Sequence, residues 1–100
     1  MELIKSLQVA ASGLRAQSAR MRVIAENLAN AGSTAKTQGG DPYRRQMPSF
    51  EAHYDRELGA TTVVQGRTRA DQSEFKTRYE PSHPAADERG YVEMPNVDTL

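Results

Sequence analysis

The first thirty residues carry an apolar stripe at helical spacing, and this feature constrains the fold most. Alternating steps of three and four residues give the stripe Ile4, Leu7, Ala11, Leu14, Ser18, Met21, Ala25 and Leu28, with Leu3, Ala10 and Ile24 beside it. Such spacing places the side chains on one face of an α-helix, and a sustained heptad favours packing against a partner helix. We predict a long amphipathic helix over residues 1–31 whose packing residues are Ile4, Leu7, Ala11, Leu14, Met21, Ile24, Ala25 and Leu28.

The predicted helix has no obvious partner in the sequence. No segment after Gly32 shows sustained helical periodicity, so we expect another chain, or a part of the polypeptide outside this sequence, to cover the stripe. The helix should end at Asn30-Ala31-Gly32, residues able to adopt a left-handed conformation. Gly13 costs about 1 kcal/mol relative to Ala in a helix interior. It either marks close approach of a neighbouring backbone or is simply tolerated.

The rest of the chain is predicted to be a polar linker followed by a β-rich segment. Residues 32–42 are small and polar and include a Gly-Gly-Asp-Pro turn. Residues 43–97 contain short runs rich in β-branched and aromatic residues, separated by glycines and prolines: 43–54, 61–69, 75–79 and 91–94. Two prolines make residues 80–84 a loop. The predicted fold class is α+β, with a long N-terminal heptad helix, a polar linker and a small β-rich domain.

Composition and charge exclude several classes of function. Only 37% of the 100 residues are hydrophobic and there is no Trp, so a large independent core is not expected. Thirteen basic residues balance thirteen acidic ones, so the chain lacks the excess of positive charge that favours binding to nucleic acid or an anionic membrane. Residues 1–30 hold four bases and two acids (+2), whereas residues 71–100 hold three bases and seven acids (−4). The opposite charges of the two ends fit either head-to-tail contact between copies or an unevenly charged, solvated surface.

The sequence contains few features that indicate a cellular compartment. The chain has no cysteine, which fits a reducing cytoplasm or an exported protein without disulfides. Gln8, Ser12, Arg15 and Gln17 interrupt the N-terminal apolar residues, unlike a cleaved signal peptide or a membrane-spanning segment. Export would therefore need another route.

Few side chains in the sequence could form a catalytic or metal-binding site. His53 lies near Asp55, and His83 lies near Asp87 and Glu88, so a metal or acid–base site requires the two segments to meet. A metal-dependent hydrolase is the enzymatic alternative, which a metal-content measurement would test. No serine has a nucleophile-elbow context and no glycine pair has the lysine of a phosphate loop. We predict no catalytic, cofactor-binding or metal site, and we interpret Arg44-Arg45 as a partner contact.

Five segments of the sequence together carry a resemblance to a known protein family. The N-terminal signature is Ala-Ser-Gly-Leu-Arg-Ala-Gln at 11–17 with Arg-Met-Arg-Val-Ile-Ala-Glu-Asn-Leu-Ala-Asn at 20–30, closing on Asn27, Leu28, Ala29 and Asn30. Gly-Asp-Pro-Tyr-Arg-Arg-Gln at 40–46, Tyr-Glu-Pro-Ser-His-Pro-Ala-Ala-Asp at 79–87 and Gly-Tyr-Val-Glu-Met-Pro-Asn-Val at 90–97 are similar to a proximal rod subunit. Together the five segments resemble the bacterial flagellar axial proteins, and among them the basal-body rod protein family. The resemblance covers residues 1 to about 97.

The resemblance implies a non-enzymatic building block without cofactors. Subunits of this family stack helically into the drive shaft that transmits torque across the periplasm and encloses the export channel. The implied partners are other copies, other flagellar rod proteins and the flagellar type III export apparatus, which exports the chain without a cleaved signal. Nucleic acid and small-molecule substrates are not implied. In the family the N-terminal helix packs against a C-terminal helix, whose region would begin at residues 98–100.

A second class of function has the same sequence features. A coiled-coil adaptor or regulator of low oligomeric order would also show a heptad stripe and a polar linker. A defined small oligomer in solution, rather than filament growth, would distinguish it from a rod subunit.

Overall fold

The computed structural model, which describes residues 2–99, contains one long helix followed by six short strands that form three two-stranded sheets. Helix α1 spans Glu2–Ala29; the strands are β1 (Gln46–Met47), β2 (Phe50–Asp55), β3 (Ala60–Gln65), β4 (Arg69–Ala70), β5 (Lys76–Tyr79) and β6 (Tyr91–Met94). The strands pair as β1–β4, β2–β3 and β5–β6. This architecture confirms the predicted α+β class. Within residues 2–99, no helix is long and apolar enough to cross a membrane.

Helix α1 ends through hydrogen bonds rather than through a left-handed residue. The Ala31 amide donates to the Leu28 carbonyl at 3.2 Å, and Asn30 Nδ2 donates to the Glu26 carbonyl at 2.9 Å. Among the residues described, only Gly39, Gly59 and Gly90 have positive φ. The expectation of a left-handed end at residues 30–32 was therefore wrong. A tightened last turn and the Asn30 side chain already satisfy the carbonyls of Leu28 and Glu26.

The chain forms two compact units, and the first combines helix residues up to Ile24 with Met47–Arg69. Its β2–β3 hairpin runs in register from the Phe50–Gln65 pair to the Asp55–Ala60 pair. The turn is closed by Asp55, whose carbonyl accepts the Gly59 amide at 2.7 Å and whose Oδ1 accepts the amides of Glu57 and Leu58. Gly59 has φ near +72°, which favours glycine there.

Small residues form the buried face of the helix in this first unit. Ser12, Ala19 and Val23 are each less than 9% exposed. Ser12 Oγ donates to the Val9 carbonyl at 2.7 Å and accepts the Val63 amide at 3.2 Å, which ties β3 to the helix. Two of these three residues, Ser12 and Ala19, contribute little to a hydrophobic pattern, and the predicted stripe did not include this face.

The second unit combines Ala25–Gln46 with the chain from Ala70 onward. Its β5–β6 hairpin pairs Lys76 with Met94 and Tyr79 with Tyr91, whose rings meet edge to face at 5.3 Å. The core is small: Val92, Pro95 and Val97 are buried.

Candidate subunit interface

The predicted stripe lies on the outer face of α1. The large side chains of the stripe, and that of Ile24 beside it, are exposed by between 47% and 72%: Ile4, Leu7, Leu14, Met21, Ile24 and Leu28. Ala25 is also exposed and Ala11 is half-buried, while the neighbouring Leu3 is 73% exposed. Leu14 and Ser12 differ by two residues, or about 200° around the helix, so the stripe faces away from the buried small residues.

An exposed apolar surface of this length is typical of an interaction site. Burying a Leu, Ile or Met side chain stabilises a complex by about 1.5–3 kcal/mol. Six such side chains therefore offer on the order of 10 kcal/mol before the entropic cost of association is subtracted. No contact within the described part of the chain covers this face, and its heptad spacing matches another helix.

The four signature residues at the end of α1 have different structural roles. Asn27 is 8% exposed; its Oδ1 accepts the Tyr43 hydroxyl and the Gln46 amide, both at 2.8 Å, and its Nδ2 donates to the Gln46 carbonyl at 2.9 Å. Leu28 belongs to the exposed stripe and Ala29 is exposed. Asn30 ends the helix and accepts the Ser33 hydroxyl. The signature therefore couples the end of the stripe to the position of residues 43–46.

The surroundings of Tyr43 favour the neutral form of its phenol. Burial, together with the negative charge of Glu26, raises the pKa of the Tyr43 phenol above its usual value. The neutral phenol is the form that donates to Asn27.

Both arginines of the Arg44-Arg45 pair are bound within the chain. The Arg44 guanidinium lies 4.2 Å from the centroid of the Phe75 ring and donates to the Asp71 carbonyl at 3.0 Å. Arg45 Nε pairs with Asp71 Oδ2 at 3.0 Å. The pKa of Asp71 is lowered, first by the Ser73 amide that donates to it and then by Arg45. The structure thus assigns these arginines an intramolecular role that the interpretation as a partner contact did not anticipate.

Asn96 is the second buried polar anchor, at 9% exposure. Its Oδ1 accepts the Arg45 amide at 2.7 Å, and its Nδ2 lies within 3.2 Å of the carbonyls of Asp71 and Ser73. These bonds hold three segments of the second unit together, and sequence periodicity gave no signal for them.

The two histidines have separate environments. His53 is exposed on β2. His83 accepts the Ala85 amide at Nδ1 over 2.9 Å, and its Nε2 lies 3.0 Å from Thr34 Oγ1. In the described range, residues 2–99, no three His, Cys, Asp or Glu side chains cluster in a way that would hold a metal ion.

Comparison with known proteins relates the chain to flagellar rod proteins. Residues 7–35 match the family described as "Flagella basal body rod protein". The chain is 44% identical over 93 residues to "Flagellar basal-body rod protein FlgC" of Agrobacterium fabrum, covering 93% of this chain and 67% of that protein. It is 40% identical to the protein of the same name from Aquifex aeolicus and 37% identical to that from Bacillus subtilis, covering all of this chain and 73% and 77% of those proteins.

Identity at this level extends across both compact units, well beyond the matched N-terminal region, and covers two thirds or more of each relative. The chain therefore belongs to the FlgC-like flagellar basal-body rod proteins, which are structural subunits of the flagellar rod.

Proposed function

We propose that this chain self-assembles helically, with further copies and with other rod proteins, into the drive shaft that transmits torque and encloses the export channel. The observation that carries the proposal is the exposed stripe of α1 together with Ile24 beside it, where six large apolar side chains are 47–72% exposed. A subunit that remained alone would leave this surface in water, whereas helix packing in a rod would cover it.

The proposed helix-packing and subunit interface consists of Ile4, Leu7, Ala11, Leu14, Met21, Ile24, Ala25 and Leu28. The opposite side of the helix supports this choice, since Ser12, Ala19 and Val23 are already buried within the chain. The stripe is therefore the side of α1 that remains available to a partner.

The proposed location is the periplasmic part of the flagellar basal body, reached through the flagellar type III export apparatus without a cleaved signal. The names of the relatives, which are basal-body rod proteins, support the location. We propose a non-enzymatic role as well. His83, Arg45 and Asp71 have side chains of types that can act in catalysis. Each of them instead forms bonds that hold loops of the second unit.

Leu14→Asp tests the proposed interface in cells that carry the variant as their only copy. A charge in an apolar contact costs several kcal/mol, so we expect no rods and no motility. Because Leu14 is 72% exposed, the isolated chain should keep its helix content and its free energy of unfolding.

Ser6→Asp is the matched control. Ser6 is exposed on the same helix but lies off the stripe, so its substitution should leave rods and motility near wild type. Normal rods in the Leu14→Asp cells would contradict the proposed interface.

A further inference from the structure

The two edges of the exposed stripe differ in chemistry. Arg15 and Arg22 directly follow the stripe residues Leu14 and Met21, so they lie along one edge, about 10.5 Å apart at 1.5 Å per residue. The other edge is formed by Leu3, Ala10, Gln17 and Ile24 and carries no charge.

Both arginines are exposed and available. The ion pairs found within residues 2–99 are Arg45–Asp71 and Arg78–Glu80, and neither involves Arg15 or Arg22. Glu26 lies one turn after Arg22 on the helix but forms no ion pair with it. Arg15 also borders an open groove shared with Asp55 and Glu57, again without an ion pair.

We infer that the partner of the stripe is an amphipathic helix with acidic side chains, repeated every seven residues, along its edge facing Arg15 and Arg22. This inference rests on the proposed helix-packing interface and adds the charge of the partner. Charged residues that flank an apolar heptad seam set the choice and orientation of the partner helix. Two unpaired arginines one heptad apart match carboxylates with the same repeat.

The uncharged edge argues against an anionic lipid surface as the partner. A helix that lies on such a surface carries basic residues along both sides of its apolar face, where their long side chains reach the headgroups. Here Leu3, Ala10 and Ile24 extend the apolar contact on one side only. A partner helix that is apolar on this side and acidic on the other fits both edges.

Two synthetic helical peptides with the same Leu and Ile heptads test the inference, one with Glu and one with Lys at the positions flanking the seam. Their binding to the full chain is measured by fluorescence anisotropy at low and high salt. We expect the Glu peptide to bind about tenfold more tightly at low salt, with the preference reduced at high salt.

Arg22→Glu is the key variant and Arg20→Glu is its charge-matched control, because Arg20 is exposed on α1 but lies off the edge of the stripe. Arg22→Glu should remove most of the preference for the Glu peptide, whereas Arg20→Glu should preserve it. Equal loss in the two variants would show long-range charge attraction only and would overturn the inference.

Three further outcomes separate this inference from the proposed function. Equal binding of the two peptides, abolished by Leu14→Asp, would overturn the acidic partner and leave the helix interface standing. Binding of neither peptide would overturn both. Tighter binding to phosphatidylglycerol vesicles than to the Glu peptide would replace the acidic helix with a lipid surface.

Discussion

At the scale of single residues, buried amides fix the path of the chain after the helix. Asn27 binds the backbone of Gln46 on both its donor and acceptor sides, and Asn96 joins Arg45 to Asp71 and Ser73. These bonds span 19 to 51 residues of sequence. The resemblance marked Asn27 as a signature residue, but local patterns cannot identify partners so distant in sequence.

Asn27→Ala should lower the free energy of unfolding by about 2–3 kcal/mol, because it leaves half-buried backbone groups of Gln46 and the Tyr43 hydroxyl without the partner they have in Asn27. Asn30→Ala is the matched variant from the same signature. Its side-chain bonds are exposed, so its cost should stay below about 1 kcal/mol. Urea unfolding of both variants measures the difference, and equal costs would contradict the assigned role of Asn27.

Tyr43 should make stability depend on pH in the alkaline range. Its pKa is raised in the folded chain, so the fold favours the neutral phenol. The resulting contribution is fully present below the unfolded pKa of about 10 and is lost as the pH rises through the folded pKa. Tyr43→Phe cannot ionise and should lack this dependence. Urea unfolding at several alkaline pH values compares the two chains, and identical slopes would argue against the Tyr43–Asn27 bond.

At the scale of elements, the helix and most strands could be predicted because their signals are local. The helix followed from three- and four-residue spacing, and Tyr91–Met94 coincides with one predicted run. The helix end and the buried small face could not be predicted in the same way. The end depends on the side-chain bonds of Asn30, and the face of Ser12, Ala19 and Val23 becomes a contact only because the chain returns to it.

Gly13→Ala should raise the free energy of unfolding by about 1 kcal/mol. Gly13 lies inside α1, and a Cβ there would meet no atom within 4 Å, so the variant gains helix propensity without a clash. Close approach of a backbone is therefore not the reason for this glycine within the described chain.

Gly90→Ala is the opposite control for Gly13→Ala. Gly90 has φ near +88°, and an added Cβ would lie 3.0 Å from Pro81 and Tyr79. Gly90→Ala should therefore lower the free energy of unfolding, whereas Gly13→Ala should raise it, as measured by thermal and urea unfolding. Destabilisation by Gly13→Ala would mean that its surroundings are tighter than the structure shows.

At the scale of the whole molecule, α1 contributes to two kinds of surface. One face is buried by the chain itself, and the other presents the apolar stripe that the sequence spacing predicted. The stripe residues could be predicted because heptad spacing is a property of the helix alone. The intramolecular roles of Arg44, Arg45 and His83 could not, because they depend on contacts between segments far apart in sequence.

The absence of native cysteine makes the most direct measurement of the stripe possible. Leu14→Cys places a single thiol in the stripe, and its rate of maleimide labelling is compared in the free chain, in purified basal bodies and in the same basal bodies after denaturation. The proposed interface predicts fast labelling in the free chain, strong protection in intact basal bodies and full reactivity after denaturation. Equal labelling of the free chain and of intact basal bodies would contradict burial of the stripe in the rod.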